Sequence, residues 1–324
     1  MSDKIFSIDL GGTTAKIAII STEGEIFEKW TVATNTLENG SHIVPNLIQS
    51  LKDRLKLYQM TVEDFVGIGM GSPGKVDAET GTVIGAYNLN WSTLQEIRSA
   101  FQNAFALPFF IENDANIAAL GEQWKGAGNG AADVVTVTLG TGVGGGIVAN
   151  GQLLRGAGGA AGEIGHLTVD TTGDYQCTCG KDGCLESIAS ATGIIHLARK
   201  LSEQYEGDSP IKAAIDDGSI VNSKSIFDAA KEGDYFAEQI VDRFSFYLGL
   251  ACSHLANTLN PQKIVLAGGV SQAGNFLLDN VNGYFQQFCF PQIRDVSELV
   301  LAELGNDAGV MGAAQLVRLK LQEG

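Results

Sequence analysis

Between Gly162 and Glu186 the chain reads GEIGHLTVDTTGDYQCTCGKDGCLE. Cys177, Cys179 and Cys184 fall within eight residues, with Gly180 and Gly183 between the last two, and His166 stands eleven residues before Cys177. Three thiolates and one imidazole make a complete ligand set for structural zinc, and the glycines let the loop turn tightly enough to close around an ion. The spacing is not that of a paired CxxC ribbon, so free or disulfide-bonded cysteines remain the competing reading. With no export signal and an odd count of five cysteines, zinc is preferred. Glu163 and Glu186 bracket the cluster. A zinc-bound imidazole keeps one ring nitrogen for hydrogen bonds outside the metal shell. Together with two carboxylates, that nitrogen suits the hydroxyls of a polyol or sugar. A loop glutamate is more often simply solvated, so this reading needs support elsewhere in the chain.

Support comes from three glycine turns. The run Lys4 to Leu10 predicts a strand, Gly11-Gly12-Thr13-Thr14 a turn, and Ala15 to Ile20 a second strand: a hairpin whose tip offers N–H groups and hydroxyls to a phosphate. It is not a Walker A loop, because a strand follows where a helix should. Asp9, at the end of the first strand, is placed to hold magnesium directly or through water. The device recurs: Val134 to Leu139, then Gly140-Thr141-Gly142, then Gly144 to Ala149. This internal repeat predicts two similar halves facing one another across a cleft. Lys263 to Ala267 predicts a further strand, ending in Gly268-Gly269 and running into a helix start, another arrangement that favours a nucleotide.

Around these turns, strands and helices alternate. Apolar spacing predicts a helix over Ile43 to Leu57, a strand over Phe65 to Met70, and a helix opened by a Thr93/Glu96 capping box and ending at Phe105. Leu107 to Ile111 reads as a buried strand carrying Glu112-Asn113-Asp114 at its carboxyl end, with a helix following through Trp124. Ligand-binding groups gather at such strand ends in open α/β sheets, so Asp114 is a candidate to act on a ligand and Asn113 to orient it. Either could equally be the N-cap of the helix. Beyond the cysteine loop come a helix over Ala191 to Gln204, a polar linker over residues 206–224, and a helix from Ser225. A long helix over Tyr235 to Leu259 is stopped by Asn260-Pro261, and a last amphipathic helix runs from Asp307 to Leu321. Cys252 and Cys289 lie in apolar surroundings and read as inert buried thiols.

Composition bounds the rest. The 324 residues hold 21 Lys and Arg against 37 Asp and Glu, a formal net charge of -16, which disfavours nucleic acid or an anionic membrane as partner. No run approaches the roughly 20 apolar residues of a membrane helix. The start MSDKIFSIDLGG lacks a signal-peptide pattern, so a cytoplasmic protein is expected.

DLGGTTAK (9–16), ENDANIAALGE (112–122), LGTGVGGGIVANGQLLRGAGGAAGEIGH (139–166) and CTCGKDGCLE (177–186) together resemble the ROK family of sugar kinases, most closely its glucokinases, over essentially the whole chain. The resemblance implies the actin-like, ribonuclease H-like fold, with two α/β domains flanking a cleft: residues 1–118 plus 308–324, and residues 119–307. It implies ATP and Mg²⁺ with a hexose as substrate, a structural Zn²⁺, and a homodimer. It assigns Asp114 as general base and Asn88, Asn113, Asp114, Glu163, His166 and Glu186 to the sugar. His166, Cys177, Cys179 and Cys184 are assigned to zinc. Gly11, Gly12, Thr13, Thr14 and Lys16 fall to the first phosphate loop, beside the magnesium candidate Asp9, Thr141 and Gly142 to the second, and Gly268 and Gly269 to the adenosine. The expected reaction is phosphorylation of the glucose 6-hydroxyl. Fructose, mannose, allose or N-acetylmannosamine are the alternative substrates, and the donor, ATP or polyphosphate, is left open. The family also contains sugar-sensing repressors with a preceding helix-turn-helix domain. The early hairpin and the acidic charge make that reading the less favoured one.

Overall fold

Two apolar runs separated only by Gly11-Gly12-Thr13 have little choice but to fold back on one another. In the computed structural model, which describes residues 3–323, β1 (Lys4–Leu10) and β2 (Thr14–Ser21) pair antiparallel, with Asp9 opposite Lys16. β3 (Ile26–Ala33) continues the meander beyond β2. β4 (Phe65–Ser72) and β5 (Phe109–Asn113) add in parallel on the other side, giving the order β3-β2-β1-β4-β5. The register aligns Asp9 with Gly71, and Gly71 with Glu112, so the carboxyl ends of β1, β4 and β5 lie side by side. These strands belong to a unit comprising Met1–Gly130, Gln152–Ala161 and Asn306–Gly324.

One face of the sheet packs on α1 (Ile43–Leu57) and α2 (Ile97–Phe105), where Phe6, Phe101, Phe109 and Trp91 are fully buried and Phe6 stacks on Phe65. The Thr93/Glu96 capping box does not form. Glu96 precedes α2 without a side-chain cap, because Gln95 is bridged to Val83 and its Nε2 donates to the Thr93 oxygens. On β4 the glycines of VGIGMGS admit the terminal helix Ala308–Glu323 at backbone distance: a Cβ at Gly69 would lie 2.0 Å from the Ala313 carbonyl oxygen. The same helix meets α3 (Asp114–Lys125) through Gly312, where a Cβ would lie 1.7 Å from the Ile117 oxygen, and through Gly121, where one would lie 2.2 Å from that of Ala308. A boundary after residue 118 would cut α3. The helix stays whole, and the unit runs on to Gly130.

The second unit, Ala131–Gly151 with Gly162–Gly305, repeats the opening device. β6 (Val134–Leu139) and β7 (Val143–Ala149) form an antiparallel hairpin around Gly140-Thr141-Gly142. On its other edge β6 pairs in parallel with β8 (Lys263–Ala267), which pairs with β9 (Glu298–Leu301). The core on this sheet is largely helical, with α4 (Gly193–Ser202) and the 25-residue α7 (Tyr235–Leu259) burying Phe236, Phe244 and Leu248. Asp234 caps α7 on Ala237 N, and Asn260 ends it in the left-handed conformation. Between these helices, residues 206–224 are not a bare linker. Ser209 caps and Pro210 begins the short helix α5 (Pro210–Asp216), and Asn222 opens α6 (Ser223–Lys231). The Gly268-Gly269 turn is followed not by a helix but by a 3₁₀ segment, Val270–Ala273; α8 (Asn275–Phe288) starts only after Gly274.

Candidate functional site

In the first unit, the hairpin tip is closed by Gly11 N donating to Thr14 O, and braced by Thr34, whose Oγ1 donates to Gly11 O at 2.7 Å. Among the described residues, this leaves the N–H groups of Gly12 and Thr13 without a protein acceptor and open to an anion. The second turn repeats the scheme: Gly140 N closes on Gly142 O at 2.9 Å, and among the described residues the N–H groups of Thr141 and Gly142 have no protein acceptor. Gly268, at φ +91, lies against it; a Cβ there would be 2.5 Å from Leu139 O. Next to Gly269 opens a cavity of about 350 Å³ lined by Phe227, Lys231, Val270, Gln272 and Ala273, among others. Two neighbours brace this second turn: Thr192 Oγ1 donates to Thr141 O, and Ala191 N to Gly140 O, each at 2.8 Å.

Asp114 begins α3 at the carboxyl end of β5, and the capping reading of the Asn113-Asp114 pair is the one its hydrogen bonds show. Asn113 Oδ1 caps the helix through Ala115 N at 2.9 Å, and Asp114 Oδ1 accepts from the same N–H at 2.8 Å. Solvent reaches the tip of Asp114, but the protein packed around its carboxyl group pushes its pKa up; the Ala115 N–H opposes this and the charge of Asp9 reinforces it. Asp9 is pushed up as well, by burial, against the opposing pull of Lys16, whose Nζ stands 3.6 Å from Oδ2. Two carboxyl groups crowded in this way are relieved by a divalent cation, so Asp9 fits a magnesium-bearing role. Gly309 makes room for Asp9: a Cβ there would lie 2.3 Å from its Cγ. Asn88 overhangs the first glycine turn, its Nδ2 at 3.2 Å from where a Gly12 Cβ would be.

The cysteine loop in the second unit has the spacing of neither a disulfide nor scattered thiols. All five cysteines are free, and ligand atoms of His166, Cys177, Cys179 and Cys184 lie within 4.8 Å of one another. Cys179 and Cys184 sulfurs are 3.7 Å apart, and Cys177 sulfur is 3.7 Å from His166 Nδ1. A disulfide would need about 2.05 Å. A tetrahedral ion bound at about 2.3 Å to sulfur sets its ligand atoms about 3.5–3.8 Å apart, and these two pairs have that spacing. With Nδ1 on the cluster, the other ring nitrogen, Nε2, stands 4.0 Å from Glu163 Oε2. Gly165 seats this turn on β7, since a Cβ there would lie 2.1 Å from Val143 O. Glu186 turns back to β7, its Oε2 accepting from Val143 N at 3.0 Å. Cys252 and Cys289 are buried away from the loop; burial pushes the Cys252 thiol up to about 12.

Some of these contacts have no trace in the sequence reading. The Thr192 brace, the Glu186–Val143 bond and the Phe227/Lys231 cavity wall join residues far apart in the chain, and periodicity carries no signal for them. Glu112 is another case: its carboxylate pairs with Arg155 Nε at 2.7 Å and is nearly buried.

The ROK family model matches residues 5–320. The chain is 45% identical to a glucokinase of Halalkalibacterium halodurans, over 98% of this chain and 96% of that protein. It is 36% identical to a glucokinase of Thermotoga maritima, over 98% of each. Among solved structures, a ROK family glucokinase from Streptomyces griseus, in complex with glucose and AMPPNP, superposes with a TM-score of 0.74 at 30% identity, covering 98% of this chain and 99% of that one. The fold is the actin-like, ribonuclease H-like one.

Proposed function

Since the chain belongs to the ROK family of kinases, we propose that it is an ATP-dependent glucokinase, which transfers the γ-phosphoryl group of ATP to the 6-hydroxyl of D-glucose. The observation that carries the reading is Asp114. It is a carboxylate at the carboxyl end of a central strand, in the same unit as a glycine turn with unpaired N–H groups and next in charge to Asp9. Full-length similarity to named glucokinases supports glucose as the hexose.

Phosphoryl transfer asks mostly for positioning, charge neutralisation and one proton acceptor. Ionised Asp114 accepts the proton of the 6-hydroxyl as that oxygen bonds to the γ-phosphorus and the bond to the leaving ADP oxygen breaks. A pKa pushed above the usual aspartate value brings the base nearer to the working pH and strengthens it. Asn113 Oδ1 is fastened to the helix, which leaves its amide Nδ2 for a sugar hydroxyl, with Asn88, Glu163, His166 Nε2 and the free oxygen of Glu186 as further partners. The N–H groups of Gly12, Thr13, Thr141 and Gly142, with the Thr13 and Thr14 hydroxyls and Lys16, receive the phosphates. Gly268, Gly269 and the cavity beside them take the nucleoside. Asp9 would hold magnesium, directly or through water, which would supply neutralising charge to the phosphates. His166 Nδ1, Cys177, Cys179 and Cys184 would hold a structural zinc ion, whose service would be rigidity of the His166 and Glu186 side chains. No helix among the described residues is long and apolar enough to cross a membrane, and two copies are expected to form the working assembly.

A coupled ADP-release assay with Mg-ATP across hexoses and N-acetylhexosamines, with zinc measured on the same sample, tests the reading. Glucose turning over fastest with about one zinc per chain upholds it. Preference for another hexose moves the substrate and keeps the mechanism. No turnover of any sugar would leave a sugar-binding sensor.

A further inference from the structure

Glu112 is the residue before the Asn113-Asp114 pair, and only 6% of its side chain is exposed. Its two oxygens hold three partners. Oε1 accepts from Asn113 N at 3.0 Å and from Asn116 Nδ2 at 3.2 Å, and Oε2 accepts from Arg155 Nε at 2.7 Å. One carboxylate thus ties the end of β5 to the first turn of α3, with Asp114 between the two anchor points. A buried carboxylate keeps such a post only if its charge is compensated. Among the described residues, Arg155 is the cation paired with it, from 43 positions further along the chain. Arg155 also opens the segment RGAGGAAG, in which Gly156, Gly159 and Gly162 all take positive φ and little side-chain packing holds the backbone. That segment leads in sequence to Glu163.

We propose that Arg155 is a positioning residue for the reaction: by neutralising Glu112 it lets that carboxylate hold the Asn113-Asp114 turn in one geometry, and by the same bond it fastens the start of the glycine-rich segment. Arg155 acts through Glu112 and touches neither substrate. The proposal rests on Asp114 being the proton acceptor. A methionine at position 155 keeps most of the length and apolar stem and removes the charge, leaving Glu112 buried without its cation. Misplacing a reacting group by about 1 Å can cost about a hundredfold in rate.

The test is a cycle of Arg155→Met, Glu112→Gln and the double variant, with Arg155→Lys as the conservative control. It is read by kcat and KM for glucose and ATP, by melting temperature, and by hydrogen–deuterium exchange over residues 112–116 and 155–162. Arg155→Met is expected to lower kcat about 10- to 100-fold with KM for ATP within about threefold, and to speed exchange in both segments. The double variant, with no buried charge left to compensate, is expected to recover at least about tenfold of that loss, and Arg155→Lys to lose less than Arg155→Met. Unchanged kcat in Arg155→Met, or a double variant no better than the single one, overturns the proposal. If Arg155→Met does not fold, Arg155→Gln takes its place: a kcat within twofold of the parent is equally fatal. Exchange separates the two readings: a parent that phosphorylates no sugar defeats the kinase reading, while faster exchange in Arg155→Met would still establish the fastening.

Discussion

Alanine at Gly142 displaces one bond and little else. The backbone of Gly142 lies outside the left-handed region, so the substitution does not strain the turn itself. A Cβ there would, however, stand 2.2 Å from Glu186 Oε2 and 3.0 Å from its Cδ, closer than such atoms can approach. The carboxylate is the end of a flexible side chain, so it swings aside and gives up its 3.0 Å hydrogen bond from Val143 N. Such a bond, partly exposed to solvent, contributes about 1–2 kcal/mol, or a factor of about 5–30. Because Glu186 is bonded to the second phosphate turn and is also assigned to the sugar, the loss is expected in kcat/KM for both glucose and Mg-ATP. Steady-state kinetics with each substrate varied in turn measure it, and the melting temperature shows that the fold survives. Values within twofold of the parent for both substrates refute the reasoning. A loss confined to ATP would keep Glu186 as a brace of the turn and remove it from the sugar.

Asp114→Asn is expected to lower kcat about 10²- to 10⁴-fold in a folded protein, the usual contribution of a positioned base; near-normal turnover rules Asp114 out. In the parent, Asp114 works only when ionised and its pKa is raised, chiefly by burial, so the acid limb of kcat/KM should fall at a pH above the ordinary aspartate value of 3.8; a profile from pH 4 upward that shows no acid limb contradicts the assignment. Cys179→Ser should lower zinc content and glucose affinity together, and a metal-free variant with parental KM would disconnect the two. Gly312→Ala drives a methyl group onto the Ile117 carbonyl; with backbone on both sides and no side chain able to move, a loss of about 1–3 kcal/mol is expected, read as a lower melting temperature with parental KM.

Legibility in the sequence follows the range of the forces involved. The hairpin at Gly11-Gly12 and its repeat at Gly140 were readable because strand–turn–strand chemistry is local. So were both ends of α7, where Asn260-Pro261 stops a helix without outside help. Three cysteines and a histidine were readable as a set because few other uses need that composition. The Thr93/Glu96 box satisfied the local rule and lost to the bridge that Gln95 makes with Val83. The helix Pro210–Asp216 hid in a polar stretch because it buries little beyond Ile211, too faint a periodicity to register. Thr192 on Thr141 and Arg155 on Glu112 are encounters made by the tertiary fold, each between residues more than 40 positions apart, and nothing in either neighbourhood announces the other.

The return of helix Ala308–Glu323 onto β1 and β4 sets an order of events at the ribosome. The glycines of β4 and α3 are left as bare backbone grooves until this helix arrives, and it is made long after them. The second unit needs nothing beyond Gly305, so it can complete its own core while the first still lacks a wall. For the first unit, late closure means that apolar strands synthesised early wait, unsealed, through about two hundred residues of elongation, at roughly 5–20 residues per second. Its protection during that interval falls to chaperones or to provisional pairing of the early strands.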